Sequence, residues 1–167
     1  MSWVVAILLL LAISFAYAAA RGAPWVPTWR KDFDRLLAMA DLKPMEHFVE
    51  LGCGDARVCV EIARRTGARA TGVELSLVQW AAGRIRAKRS GTGARVVLGD
   101  AFSFPLRDAD VVYLFLMPET YERLRPTLEA QLKPGARVVT YVWPIPGWTP
   151  VSEDRRDGSP SIFLYRK

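Results

Sequence analysis

The chain is poor in the residues that build disulfide frameworks and zinc sites. It has two cysteines, Cys53 and Cys59, and one histidine, His47, among 167 residues. Two cysteines cannot form a disulfide framework, and with one histidine they do not complete a zinc ligand set. We therefore expect no metal and a reducing, cytosol-facing environment in which both cysteines line the core.

Charge is absent from the beginning of the chain. From Trp3 to Ala20 the sequence WVVAILLLLAISFAYAAA contains neither a charged residue nor proline. A helix of this length just crosses the hydrocarbon core of a membrane. Because the first basic residues follow the run, the positive-inside tendency predicts a single-pass anchor with the rest of the chain in the cytoplasm. A cleaved signal peptide is the alternative, since Ala18-Ala19-Ala20 resembles a cleavage site, but no basic region precedes the run.

The remaining composition is that of one globular domain. Hydrophobic residues make up 51% and charged residues 24% of the chain, which excludes a disordered protein. The net charge of +6 suits nucleic acid, an anionic membrane or an acidic substrate. The basic residues are dispersed and no aromatic platform accompanies them, so we expect no nucleic acid partner. We predict an anchor over residues 1–20, a Pro/Trp linker over 21–30 and one domain over 31–167.

Strands and helices are predicted to alternate through that domain. Predicted helices are Asp32–Ala40, Val58–Thr66, Leu77–Arg89 and Glu119–Leu132, the last with Pro126 near its start or at a kink. Predicted strands are His47–Leu51, Ala70–Leu75, Ala94–Leu98, Asp110–Leu116, Arg137–Trp143 and Ser161–Tyr165, with a polar loop after Trp148. This alternation predicts an α/β fold with a doubly wound, mainly parallel sheet. Ligands of such sheets bind beyond the carboxyl ends of the strands.

A glycine-rich bend follows the first predicted strand. In Glu50-Leu51-Gly52-Cys53-Gly54, two glycines one residue apart let the backbone turn sharply and leave room for a ligand. The helix that follows directs its free N–H groups at that ligand. A dinucleotide fingerprint would need a third glycine where Arg57 stands, and no Gly-Lys-Ser/Thr follows. The sequence therefore argues against NAD, FAD and phosphate-loop nucleotides.

Acids stand at the ends of the next two predicted strands. Glu74 ends the second strand, where its two carboxylate oxygens suit the two hydroxyls of a ribose. Asp100 follows the third strand beside Ala101 and Phe102. A carboxylate there can accept a hydrogen bond from an adenine amino group while the aromatic ring covers the base. The alternative role of Glu74 is that of a surface carboxylate, but its position at the end of an apolar strand favours the ribose. Taken alone, Asp100 is typical of a turn residue.

Together these motifs resemble the class I S-adenosylmethionine-dependent methyltransferases. In that superfamily the glycine-rich motif lies under the methionine part of the cofactor, the acid after strand two binds ribose, and the acid after strand three faces adenine. The resemblance implies a Rossmann-like fold of the class I methyltransferase type and S-adenosyl-L-methionine as the cofactor. The cofactor-binding residues that it implies are Glu50, Gly52, Cys53, Gly54, Glu74, Leu75, Asp100, Ala101 and Phe102.

A narrower resemblance is carried by four segments: Val26-Pro27-Thr28, Glu50–Val58, Gly72–Ser76 and Leu132–Trp148. They are similar to the ATP synthase c-subunit lysine methyltransferases and small archaeal protein-lysine methyltransferases, which are short and often carry an N-terminal hydrophobic anchor. The resemblance implies methyl transfer to a lysine of a membrane-associated protein. The chain departs from the family pattern in having Glu50 in place of Asp and Ala56 in place of a glycine.

Other functions stay open at the level of sequence. A small-molecule or lipid/quinone methyltransferase at a membrane needs similar parts, and a non-catalytic binding module would retain the same fold. For a lysine acceptor, an apolar channel would lower the pKa of the amine by desolvation, while transfer from a sulfonium needs mainly positioning. Candidates for such a channel are Tyr113, Pro118, Tyr141, Trp143 and Trp148, although both tyrosines are equally suited to core packing. We assign no catalytic base.

Overall fold

The computed structural model describes residues 2–167, which form one sheet with helices on both faces and a helix at the N-terminus. The helices are α1 (Ser2–Arg21), α2 (Phe33–Ala40, preceded by a 3-10 turn at Arg30–Asp32), α3 (Arg57–Thr66), α4 (Leu77–Ser90) and α5 (Pro118–Gln131). The strands are β1 (His47–Leu51), β2 (Arg69–Glu74), β3 (Arg95–Leu98), β4 (Val111–Leu114), β5 (Arg137–Tyr141), β6 (Ser152–Arg156) and β7 (Ser159–Arg166).

The sheet is doubly wound, as the sequence predicts. Its strand order is β3-β2-β1-β4-β5-β7-β6. Strands β1 to β5 are parallel to their neighbours, whereas β7 is antiparallel to both β5 and β6. The chain reverses its direction of winding between β1 and β4. A crevice for a ligand is expected at the carboxyl ends of these two strands.

Burial explains why the central strands are apolar throughout. All four residues of β4 are buried, with Tyr113 and Val112 completely inaccessible. One face of the sheet packs on α2 and α3 through residues such as Leu36 and Ile62, and the other packs on α5 through Leu124. A strand covered on both faces needs apolar side chains at every position rather than at alternate ones.

The prediction of a loop between Trp148 and Ser161 is wrong. Strand β6 lies within it and pairs with β7, and the two strands are joined by Asp157-Gly158. The β6 sequence, Ser-Glu-Asp-Arg-Arg, is mostly exposed at the edge of the sheet, so it shows no hydrophobic alternation. The Asp-Gly pair is a hairpin signal that the sequence reading did not use.

The predicted ends of two strands also need correction. Strands β4 and β5 end at Leu114 and Tyr141, earlier than predicted. After β4, Phe115 and Leu116 line the crevice, and after β5, Val142 adopts a left-handed conformation with φ of 75°. Of the two placements expected for Pro126, near the start of the helix or within it at a kink, the structure shows the position within α5.

A buried ionic cluster joins α2 to the β6–β7 hairpin. The Arg35 guanidinium donates to Asp32 at 2.8 Å and to Asp154 at 3.0 and 3.1 Å. The Tyr141 hydroxyl donates to the other oxygen of Asp32 at 2.7 Å. Both Arg35 and Asp32 are buried, so each charge depends on the others for compensation.

Helix α1 is the one helix of residues 2–167 that is long and apolar enough to cross a membrane. The segment Trp3–Arg21 has a mean hydropathy of 2.4, and none of it is buried. Its final turns pack on α4, where the Ser14 hydroxyl accepts a hydrogen bond from the Leu77 N–H at 3.0 Å. A signal sequence would meet the same criteria of length and composition.

Candidate active site

The bend after β1 needs both of its glycines. Gly52 and Gly54 have φ angles of 79° and 53°, in the left-handed region that favours glycine. A Cβ on Gly52 would lie 2.7 Å from Cδ2 of Leu116, and one on Gly54 would lie 2.7 Å from Nε1 of Trp25. Ala56 also adopts a left-handed conformation, with φ of 58°, which accounts for the glycine usual there in the family that the sequence resembles.

Glu74 holds this bend from the end of β2. Its Oε2 accepts from the Gly54 N–H at 2.7 Å, and its Oε1 accepts from the Ser76 N–H at 2.8 Å. The carboxylate is largely buried, with 8% of the residue exposed. Each carboxylate oxygen retains a second lone pair for a further donor. Glu74 is therefore a support of the loop as well as a candidate ligand.

Asp100 lies at the end of the neighbouring strand. Its Oδ1 accepts from the Phe102 N–H at 3.0 Å, and its Oδ2 accepts from the Arg21 guanidinium at 2.6 Å. Partial burial opposes ionisation of Asp100, but the Phe102 N–H and the Arg21 charge outweigh it and hold the pKa of the carboxyl below its ordinary value. The aspartate is therefore an anion and a hydrogen-bond acceptor at neutral pH.

A cavity of about 720 Å³, partly open to solvent, lies between these groups. Seven of the predicted cofactor residues line it, namely Gly52, Gly54, Glu74, Leu75, Asp100, Ala101 and Phe102. The carboxyl ends of β1, β2 and β3 thus bring together the three motifs that the sequence separates.

The other two predicted cofactor residues, Glu50 and Cys53, line a smaller adjoining cavity of about 300 Å³. Gly52, Gly54, Trp25 and Phe115 line both cavities. Oε2 of Glu50 accepts from the N–H and the thiol of Cys59, at 3.2 and 3.0 Å. Burial raises the pKa of Glu50 to about 8, against the effect of those hydrogen bonds. Glu50 is mostly protonated at neutral pH and would ionise beside a bound cation.

The segment that the sequence predicts as a linker forms one wall of both cavities. The Gly22 carbonyl accepts from the Thr120 hydroxyl at 2.7 Å and from the Met117 N–H at 3.3 Å. The indole of Trp25 lies against Gly54, and Thr28 Oγ1 forms a 2.8 Å hydrogen bond with the Tyr113 hydroxyl. Sequence reasoning missed the roles of Trp25 and of Phe115, and the Val-Pro-Thr resemblance was the single available signal for this segment.

The proposed channel residues do not line either cavity. Tyr113 and Tyr141 are buried, and their hydroxyls are engaged by Thr28 and Asp32. Pro118 begins α5, on the same helical turn as the cavity-lining Thr120. Trp143 is 42% exposed after β5, and Trp148 packs on Tyr165 and donates to Glu129. The structure gathers the cofactor candidates but leaves the channel candidates dispersed.

Among residues 2–167, no group of three or more His, Cys, Asp or Glu side chains is placed to hold a metal ion. Acids, backbone N–H groups, aromatic rings and arginines lie at this edge of the sheet. Two carboxylates on adjacent strand ends beside a glycine bend match the shape and polarity of a nucleoside.

Comparison with known proteins agrees with this geometry. A protein-lysine N-methyltransferase of Saccharolobus islandicus (strain REY15A) is 35% identical over 148 residues, covering 85% of this chain and 92% of the relative. The adenine nucleotide translocase lysine N-methyltransferase of Mus musculus is 36% identical over 147 residues, but this chain spans 62% of it. A crystal structure of an RNA methyltransferase from Salinibacter ruber with S-adenosyl-L-homocysteine superposes with a TM-score of 0.81 at 32% identity, covering 84% of this chain and 93% of that one.

The fold and the cavity define a class I methyltransferase that uses S-adenosyl-L-methionine. Residues 50–152 match the family model described as the ANTKMT methyltransferase domain. The chain belongs to that family.

Proposed function

We propose that the protein transfers a methyl group from S-adenosyl-L-methionine to a lysine side chain of a membrane-associated protein. The observation that carries this proposal is the 35% identity to a protein-lysine N-methyltransferase across 92% of that enzyme. The match extends over a chain that has no separate substrate domain in residues 2–167. The cavity at the carboxyl edge of the sheet supplies the cofactor site.

The residues at the cavity fit the cofactor part by part. Glu74 is proposed to hold the ribose hydroxyls with the free lone pairs of its carboxylate, next to Leu75. Asp100 is proposed to accept from the adenine amino group, with Ala101 and Phe102 against the base. Gly52 and Gly54, which line both cavities, are proposed to lie against the methionine part together with Cys53 and Glu50.

Bound S-adenosyl-L-methionine supplies a methyl group on a sulfonium and a neutral thioether as the leaving group. The nitrogen of the acceptor must be deprotonated before the N–C bond forms and the S–C bond breaks. Trp25 and Phe115, which border both cavities, would exclude water and lower the pKa of an arriving lysine by desolvation. Pro118, Trp143 and Trp148 remain proposals for the approach of the acceptor, and Pro118 is the first to test because of its place beside Thr120. Tyr113 is completely buried, so it does not meet an arriving acceptor in this arrangement.

We further propose that α1 is an uncleaved single-pass anchor over residues 1–20, followed by a linker over 21–30 and a cytoplasmic domain over 31–167. The apolar, unburied surface of α1 and the basic residues Arg21, Arg30 and Lys31 behind it support this orientation. Alkaline extraction of membranes and sequencing of the mature N-terminus test it. Release by alkali, or a mature chain that begins at Arg21, would contradict it.

Labelled methyl transfer tests the activity. Purified protein is incubated with methyl-tritiated S-adenosyl-L-methionine and host membranes, and the products are divided into protein, lipid and RNA fractions. We expect the label in protein, on methylated lysine after hydrolysis, and none with the Gly52→Val variant. Label in lipid would favour the small-molecule alternative. Label in RNA would favour the activity named for the Salinibacter ruber relative. A folded wild-type protein that transfers no label would favour a binding module.

A further inference from the structure

Helix α4 presents an exposed apolar face between Leu77 and Ile85. Leu77 and Val78 are each 40% exposed and Ile85 is 53% exposed, and Ala82 is also exposed. Residues 78, 82 and 85 follow the three- and four-residue spacing of one helical face. Exposed leucine, valine and isoleucine side chains in neighbouring positions mark a surface that meets an apolar partner.

The second half of the same helix is basic. Arg84, Lys88 and Arg89 are exposed, and Arg84 lies over the ring of Trp80 at 5.3 Å from its centroid. Among the described residues, none of these three cations takes part in an ion pair. The exposed side of α4 is therefore apolar at its start and mainly positively charged towards its end, with Arg84 and Ile85 adjacent where the two stretches overlap. Such a division matches the boundary between acyl chains and anionic headgroups.

The contact between α1 and α4 determines how deep the exposed face of α4 would lie in a membrane that α1 crosses. Ser14, whose hydroxyl accepts from the Leu77 N–H, precedes Arg21 by seven residues, which is roughly 10 Å along a helix axis. If Arg21 marks the membrane surface, the start of α4 lies on the hydrocarbon side of it. The Ser14 hydroxyl satisfies one of the free N–H groups that the first turn of a helix otherwise leaves without an intrahelical partner.

We propose that the first two turns of α4 insert into the interface of an anionic lipid bilayer beside α1, with Arg84, Lys88 and Arg89 against the lipid phosphates. This inference rests on the proposed anchoring of the chain by α1. The α1 residues Phe15, Ala18 and Ala19 line the larger cavity, so insertion places the cavity mouth at the level of the headgroups. An acceptor lysine then reaches the site from the membrane surface rather than from bulk cytoplasm.

Nitroxide labels on the full chain test the proposal. The native Cys53 and Cys59 are buried, and burial raises the pKa of both thiols well above the ordinary value, so introduced cysteines label selectively. The test variant is Ala82→Cys. Its matched control is Ala130→Cys, an exposed alanine on α5 at the opposite face of the sheet, and Leu9→Cys reports whether α1 itself is in lipid.

The collision rate of each label is measured with oxygen, which concentrates in lipid, and with a nickel chelate, which stays in water. The proteins are reconstituted in vesicles of equal parts phosphatidylcholine and phosphatidylglycerol. The ratio of the two rates reports whether a label lies in lipid. We expect a several-fold higher oxygen-to-nickel ratio at position 82 than at position 130. The ratio at 82 should fall in pure phosphatidylcholine or when Arg84, Lys88 and Arg89 are all changed to Gln. A lipid-exposed label at 9 with equal ratios at 82 and 130 would overturn the α4 proposal and leave the anchor intact. Water-exposed labels at both 9 and 82 would overturn both.

Discussion

The Arg21 guanidinium at the end of α1 lies 2.6 Å from the carboxylate of Asp100 at the end of β3. The same guanidinium lies 5.3 Å from the centre of the Phe102 ring. The Arg21 side chain thus covers both Asp100 and the face of the Phe102 ring, the two groups that we propose to contact adenine. The apolar N-terminal helix is joined directly to the cofactor cavity by this pair.

We expect Arg21→Met to raise the affinity for S-adenosyl-L-homocysteine, because an arriving adenine no longer competes with the ion pair. The pair is partly exposed, with 36% and 27% of the two side chains accessible, so the gain in affinity should be roughly fivefold or less. Asp100→Asn should weaken binding instead. Titration calorimetry of both variants measures this, with Arg30→Met as the control for loss of an exposed arginine. A decrease in affinity for Arg21→Met would show that the arginine assists the nucleoside.

We expect Glu74→Ala to weaken cofactor binding by roughly 1.5–3 kcal/mol, because it removes charge-assisted hydrogen bonds to the ribose. The change also frees the Gly54 and Ser76 N–H groups that Glu74 now holds, so the bend itself loses support. Equilibrium binding at constant salt measures the effect. Glu119→Ala, an exposed acid in the first turn of α5, is the control, and equal affinities of the two variants would refute the ribose assignment.

Glu50 should make the stability of the protein depend on pH. Its pKa in the folded protein is about 8, against an ordinary value of 4.5. Between these two values the unfolded chain loses a proton that the folded chain keeps, so the free energy of unfolding falls as pH rises. Glu50→Gln removes this contribution.

Thermal unfolding of the wild type and of Glu50→Gln at pH 5 and pH 8 tests this expectation. The wild type should lose more stability over that interval than the variant does. Parallel pH profiles for the two proteins would mean that Glu50 ionises normally in the folded state.

The buried ionic cluster around Arg35 should contribute strongly to the free energy of unfolding. Arg35→Ala leaves the buried Asp32 without its cation, and a loss of roughly 3–5 kcal/mol is expected for an uncompensated buried charge. Arg64→Ala removes an exposed pair with Glu61 and should cost about 1 kcal/mol or less. Denaturant unfolding compares the two, and a similar small loss in both would argue against compensation at Asp32.

Local pattern was sufficient to predict the sheet wherever strands are buried on both faces. Burial on both faces requires the apolar residues of β4, and backbone conformation requires the glycines at positions 52 and 54. Both requirements are visible in the residue types. The sequence of strand β6 shows no hydrophobic pattern, because an exposed edge strand needs no apolar residue.

The sequence did not predict that residues 21–28 form a wall of the two cavities, and the reason differs from that for β6. Trp25 contacts Gly54, and Gly22 contacts Thr120, across separations along the chain that periodicity does not report. Prolines at 24 and 27 indicate an extended path but not the surface on which the path lies. The same limit applies to the acceptor channel, since the placement of Trp143 and Trp148 depends on loop geometry.

The most direct test of the cofactor site is a calorimetric titration of S-adenosyl-L-homocysteine into the full-length protein and its Gly52→Val variant. A valine at φ of 79° would strain the bend, and its Cβ would collide with the side chain of Leu116 in the cavity wall. We predict saturable binding of one molecule per chain to the wild type and no detectable binding to folded Gly52→Val. No binding to folded wild type, or equal binding by both proteins, would contradict the site described at the carboxyl ends of β1, β2 and β3.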